Sequence, residues 1–189
     1  MKEENLIAAC KEGNRKAQYD LYQKYYSTLM AICRRYHNND SDAALVLNAA
    51  FLKIFKNIYY FKNNSKGSFI AWAKRITVNT LIDDYRSKRK DKEIFEYKSN
   101  DDLPEYNFQR NYLNHHLELT EEMLLNMIQR LPEGHQVVFN LFAMEGYSHK
   151  EISELCDFSE GTSKWHLSAA RKKLSSMINE VRTSKMSKI

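Results

Sequence analysis

The chain has 189 residues, a formal net charge of +5, 43% hydrophobic residues, five glycines and two prolines. That hydrophobic share excludes global disorder, and so few turn-formers exclude a many-stranded sheet and favour long helices. The length admits one ordinary domain or two small ones, and the modest basic excess suits a polyanionic partner without requiring one.

Leu6 to Cys10 reads as a short apolar helix that stops at Gly13. Asn14 is placed to cap a second helix, with Ala17, Leu21, Tyr25, Leu29, Ile32 and Tyr36 at helical spacing. Asn38, Asn39 and Asp40 mark a turn. Ser41 is the expected cap of a third helix, with Leu47, Phe51, Ile54, Phe55 and Ile58 on one stripe. The polar segment "FKNNSKGS" reads as a loop from Phe61 to Ser68. Ser68 then caps a fourth helix whose inward face holds Phe69, Trp72, Ile76, Thr80 and Leu81, and which ends in a basic run. Helices with short connections make a compact bundle.

Periodicity fails from about Asp91 to Leu119, which reads as a flexible linker able to hold helical turns at its aromatic residues. It returns at Thr120. Met123, Leu124, Met127 and Ile128 mark one helix. Pro132 suits the first turn of the next, which carries Val137, Val138, Leu141 and Phe142 and ends before Gly146. The expected organisation is all-α. Two small helical domains, 1–90 and 120–189, flank a linker over 91–119.

The stretch "GYSHKEISELCDFSEGTSKWHLSAARKK" then packs two short helices close together. Ser148 with Glu151 forms a capping box, and Ile152, Leu155 and Cys156 point inward. Asp157 holds the turn position where Gly is usual, and Asp is among the few residues that tolerate a left-handed backbone there. Ser159 caps the last helix, with Leu167, Ala170, Leu174 and Met177 expected inside. Thr162, Ser163, Lys164, His166 and Arg171 are expected to face outward. This pattern fits a DNA-reading helix-turn-helix, in which hydroxyls and cations meet phosphates and base edges. It equally fits a plain helical hairpin with a solvated face.

Cys10, Cys33 and Cys156 are odd in number and lack CxxC spacing, which argues against a disulfide framework or zinc site and for a reducing cytoplasm. The start "MKEENLIAACKEGNRK" has no apolar signal core, and no run is long enough to span a bilayer. His115 and His116 have no metal-ligand partners nearby in sequence, and no catalytic motif is present.

The segment from Leu131 to Leu174 resembles region four of the extracytoplasmic-function group of bacterial sigma factors. "LYQKYYSTLMAICRRY", "AAFLKIFKNI" and "GSFIAWAKRITVNTLIDDYRSKRK" resemble region two of the same group, in the same order. The resemblance implies a factor that acts by binding, with no cofactor, no metal and no small-molecule substrate. Its implied partners are the clamp and flap of core RNA polymerase, promoter DNA and an anti-sigma protein. Region two would open the minus-ten element through Phe61, Asn63, Trp72, Lys74, Arg75, Asn79, Arg86, Lys88 and Arg89. Region four would bind the minus-thirty-five element through Ser148, Thr162, Ser163, Lys164, His166 and Arg171. Asp42, Leu45, Asn48, Ala49 and Lys53 would meet the clamp.

One helix departs from the family. Where its members read like "DAEDVLQDVF", this chain reads "DAALVLNAAF" from Asp42 to Phe51, so Ala44, Leu45 and Ala49 replace acids. An apolar patch of this kind suits a divergent clamp contact, a different partner such as an anti-sigma protein, or weakened polymerase binding. The last case leaves an alternative: a sigma-like helix-turn-helix regulator that binds DNA without engaging polymerase.

Overall fold

The computed structural model describes residues 2–62, 68–92 and 119–186. Asn63, the acids from Glu93 to Glu105, the linker aromatics, and His115 and His116 lie outside the described residues. The chain divides into two compact units, Met1–Lys92 and Glu93–Ile189. Every regular element among the described residues is helical.

The N-terminal unit holds α1 (Glu3–Lys11), α2 (Arg15–Arg34), α3 (Asp40–Asn57), a single 3-10 turn (Ile58–Tyr60) and α4 (Phe69–Lys92). Gly13, at φ +78°, makes the turn after α1. Asn14 Oδ1 accepts the Ala17 N–H at 3.0 Å and caps α2. The cap of α3 is Asn39, not Ser41: its Oδ1 accepts the Asp42 N–H at 2.7 Å. Both residue types cap well. Arg34 holds Asp40, the first residue of α3, with two 2.9 Å bonds. Ser68 starts α4, its Oγ accepting the Ala71 N–H at 3.4 Å.

Helices α2, α3 and α4 pack on one another around Leu21, Leu29, Leu47, Ile54 and Leu81, all essentially inaccessible to solvent. Each such side chain contributes about 1.5–3 kcal/mol on leaving water. Phe61 and Phe69 are buried in a ring cluster with half-buried Trp72, with centroids 5.2–5.5 Å apart. Lys53 bridges α3 to α4 through Asp83 at 2.8 Å. That pair is largely exposed, so its worth is below about 1 kcal/mol.

The C-terminal unit holds α5 (Glu121–Gln129), α6 (Glu133–Phe139), a π turn (Asn140–Met144), α7 (His149–Cys156) and α8 (Glu160–Met186). Thr120 caps α5 through the Met123 N–H at 3.2 Å. Pro132 occupies the N-cap of α6, one place before the expected first turn, where its lack of an N–H costs nothing. The π turn is closed by the Glu145 N–H on the Asn140 carbonyl at 3.0 Å. Gly146 follows at φ +78°, a conformation that a side chain would strain. Val137, Val138 and Leu141 face the core, packed on α8 with Leu167, Ala170 and Met177. Leu174 is only half-buried.

Candidate nucleic-acid interface

The capping box of α7 is present in both directions. Glu151 Oε2 accepts the Ser148 N–H at 2.8 Å, and Ser148 Oγ accepts the Glu151 N–H at 3.3 Å. Asp157 ends α7 in the left-handed region, at φ 60° and ψ 55°. Ser159 Oγ accepts the Thr162 N–H at 3.0 Å and opens α8. The two helices therefore form a tight helix-turn-helix, and the first turn of α8 lies at its exposed end: Glu160, Gly161 and Lys164 are exposed and Thr162 is half-buried.

Two expected outward residues are not outward. Ser163 and His166 are buried, at 0% and 2% exposure. They share the i, i+3, i+4, i+7 stripe with Leu167 and Ala170, so the helix turns them into the core. Their polar atoms are satisfied across helices. Ser163 Oγ meets His149 Nδ1 of α7 at 2.8 Å, and His166 Nδ1 meets His135 Nδ1 of α6 at 2.8 Å. In the second pair one imidazole must donate while the other accepts, so at least one of the facing nitrogens carries no proton. Lys164 and Arg171 are exposed on α8. The Arg171 guanidinium lies 5.7 Å from the centroid of Phe142, whose ring stacks on His149 at 4.7 Å. Sequence reading placed Phe142 in a helix and gave His149 no role. The π turn and α7 bring them under Arg171.

Electrostatics follow from this arrangement. Burial, then the charge of Lys173, pushes the His135 pKa below its ordinary value. Burial, then Lys164 and Arg171, lowers that of His149, with Glu160 opposing. Burial thus favours the neutral form of both rings.

In the N-terminal unit, Lys74, Arg75 and Asn79 are exposed on α4, and Arg86, Lys88 and Arg89 are half-buried further along. Lys88 is paired with Asp84 at 2.6 Å. Phe61 is a correction: at 5% exposure it belongs to the aromatic core, because the 3-10 turn rolls it onto Phe69 and Trp72. On α3, Asp42, Leu45, Asn48 and Lys53 are exposed and Ala49 is half-buried. Leu45 and Leu52 are 68% and 72% exposed, and Asn48 accepts the Tyr22 hydroxyl at 3.3 Å. The departure from an acidic third helix is therefore displayed on the surface. All three cysteines are buried free thiols. Burial pushes Cys33 up to about 12 and Cys10 up to about 11, far from the thiolate form that nucleophilic chemistry needs.

A helix-turn-helix with a capped, cation-bearing second helix is the arrangement that helical DNA-binding proteins use. The model of the ECF sigma factor family matches residues 3–180, and the chain belongs to that family. Its members are RNA polymerase sigma factors, which bind core polymerase and direct transcription initiation at promoters. The chain is similar to the ECF RNA polymerase sigma-E factor of Haemophilus influenzae, 25% identical over 186 residues that cover 92% of this chain and 93% of that protein. It is 26% identical to the RNA polymerase sigma factor SigZ of Bacillus subtilis over 162 residues, covering 84% and 85% respectively. The fold is similar to that of the sigma factor RpoE from Bartonella quintana, solved with the anti-sigma factor NepR. The TM-score is 0.50 and the identity 17%, over 85% of this chain and 97% of that one.

Proposed function

We propose that this sigma factor divides its work between the two units. The C-terminal unit reads a duplex element through the exposed end of α8, with Lys164 and Arg171 on phosphate or base edges and Thr162 and Ser148 beside them. The N-terminal unit holds opened promoter DNA along the face of α4 that bears Lys74, Arg75 and Asn79, continued by Arg86, Lys88 and Arg89. The exposed face of α3 around Leu45, Asn48, Ala49 and Leu52 docks on core polymerase, and the same apolar surface suits an anti-sigma protein. The protein works by binding in the cytoplasm, where polymerase is, and catalyses nothing itself.

The observation that carries this reading is the family match across both units, from residue 3 to residue 180. The absence of acids on α3 is the feature that challenges it. The test is competition between the purified chain and a primary sigma factor for core RNA polymerase. Displacement of the primary factor is expected, together with weaker binding by Leu45→Asp and Leu52→Asp. If the folded chain leaves the primary factor in place, the alternative gains: a sigma-like DNA-binding regulator detached from polymerase. Restoring acids at Ala44, Leu45 and Ala49 would then recover competition.

A further inference from the structure

Arg171 is exposed on α8, and no ion pair among the described residues involves it. Its guanidinium lies against a ring instead, 5.7 Å from the centroid of Phe142 and within the range of a cation–π contact. The same ring stacks on His149, with centroids 4.7 Å apart and planes at 24°. His149 Nδ1 in turn meets Ser163 Oγ at 2.8 Å, and Ser163 is fully buried on α8 itself. These contacts close a circuit. It leaves α8 at Ser163, passes through the first residue of α7 and then the π turn, and returns to α8 at Arg171.

A ring under a guanidinium occupies its face and leaves the N–H donors, which lie in its plane, for another acceptor. It also removes freedom that a long exposed side chain would otherwise lose on binding. A point charge gains little from being aimed, whereas a planar fork that grips two oxygens gains much. The place of Arg171 on the helix selects the acceptor. Lys164 and Arg171 are seven residues apart, so they share a face of α8 and lie about 10 Å apart along its axis. Arg171 is about three turns into α8, whereas a recognition helix meets base edges with its N-terminal residues. At that depth the acceptor is the phosphate backbone, whose contacts set how such a helix is seated.

We propose that Phe142 is a positioning residue for duplex binding. It presents the Arg171 guanidinium already aimed at a phosphate, which the arginine grips with two N–H donors, and so it fixes the seat of α8 in the groove. The inference rests on the reading of α8 as the duplex-binding helix given above. A phosphate contact carries no base preference of its own, so the aimed fork adds affinity for every duplex alike.

The test is a double-mutant cycle on the full chain. It is titrated on a duplex that wild type enriches from a random-sequence pool, and on single-base-pair variants of that duplex. Phe142→Leu is expected to weaken binding by about two- to fivefold, the worth of a cation–π contact at an exposed site. The loss is expected in equal measure on every duplex, with the salt slope unchanged. Phe142→Tyr keeps the ring and is expected to bind as wild type does. In an Arg171→Ala background, Phe142→Leu is expected to cost nothing more, because the group it aims is gone. Equal losses from Phe142→Leu with and without Arg171 would overturn the proposal and mark Phe142 as a packing residue only. Wild-type affinity in Phe142→Leu would overturn it as well. A loss that vanishes when one base pair is changed would overturn the phosphate assignment. If wild type enriches no duplex, or if Arg171→Ala and Lys164→Ala both bind as wild type, the duplex-reading role of α8 falls and the proposal falls with it.

Discussion

Two sets of buried hydroxyls and imidazoles, one in each unit, are satisfied in different ways. In the N-terminal unit, Thr77 and Thr80 sit in the core and bond back to carbonyls of their own helix, at 2.9 Å to Ala73 and 2.8 Å to Ile76. In the C-terminal unit, Ser163 and His166 reach across to His149 and His135 on other helices. The first kind of bond forms with the helix and is indifferent to pH. The second exists only when three helices are correctly packed, and the His135–His166 pair also needs at least one of its facing nitrogens unprotonated. Helix α8 is therefore held in part by imidazole ties to α6 and α7, while Thr77 and Thr80 add no tie between helices; the buried imidazole of the N-terminal unit, His37, lies 3.7 Å from Asp84.

The largest expected effect that sharpens this contrast is on shape. Leu47→Ala should destabilise the N-terminal unit by about 2–5 kcal/mol, because a fully buried leucine leaves a cavity. The two tryptophans fall one to each unit, so a Trp165→Phe background reports this unit through Trp72 in urea titrations. A matching shift of the Trp165 signal in a Trp72→Phe background would break the contrast.

Acid should act on the other side. The His135 and His149 pKa values are depressed on folding, so their contribution is complete above the ordinary histidine value of about 6.5 and is lost as pH falls below it. Between pH 7 and 5 the Trp165-reported transition should move to lower urea by more than the Trp72-reported transition. His135→Gln, which keeps a neutral hydrogen-bonding group, should reduce that pH dependence. Equal sensitivity of the two transitions would remove the distinction drawn here.

At the surface the effects are smaller for stability and are read on DNA. Arg171→Ala and Lys164→Ala should each weaken duplex binding and lower the salt slope by about one. Phe142→Leu should weaken binding in the same direction while leaving the salt slope intact, since it removes the platform under Arg171 and not the charge. An unchanged salt slope in Arg171→Ala would place that residue off the DNA. Last comes Asp157→Gly, expected to raise stability by up to about 1 kcal/mol by relieving a left-handed non-glycine residue. It should move the Trp165 signal alone.

Much of this was legible in the chain because it is local. Asn14, Ser68, Thr120, Ser148 with Glu151, and Ser159 each declare a helix start within a few residues, and the left-handed Asp157 follows from the short turn it must make. The cap of α3 was misplaced at Ser41, because Asn38, Asn39, Asp40 and Ser41 are consecutive candidates and local pattern does not rank them. Ser163 and His166 were misplaced because their polarity outweighed their position. The spacing to Leu167 and Ala170 was the available signal that they face inward. Phe61 was misplaced in the opposite sense, as a ring in a polar loop that proves to be core.

The sequence by itself determined an all-helical chain and the starts of most helices. It also determined the helix-turn-helix and, through the order of its motifs, the family, because periodicity and capping depend on neighbours in the chain. Only the tertiary structure decided which polar residues are buried, that histidines on α6 and α7 tie down α8, and that Phe142 lies under Arg171. Those facts depend on which distant side chains meet, and such meetings are settled by packing volume and hydrogen-bond completion across helices, which no local pattern records.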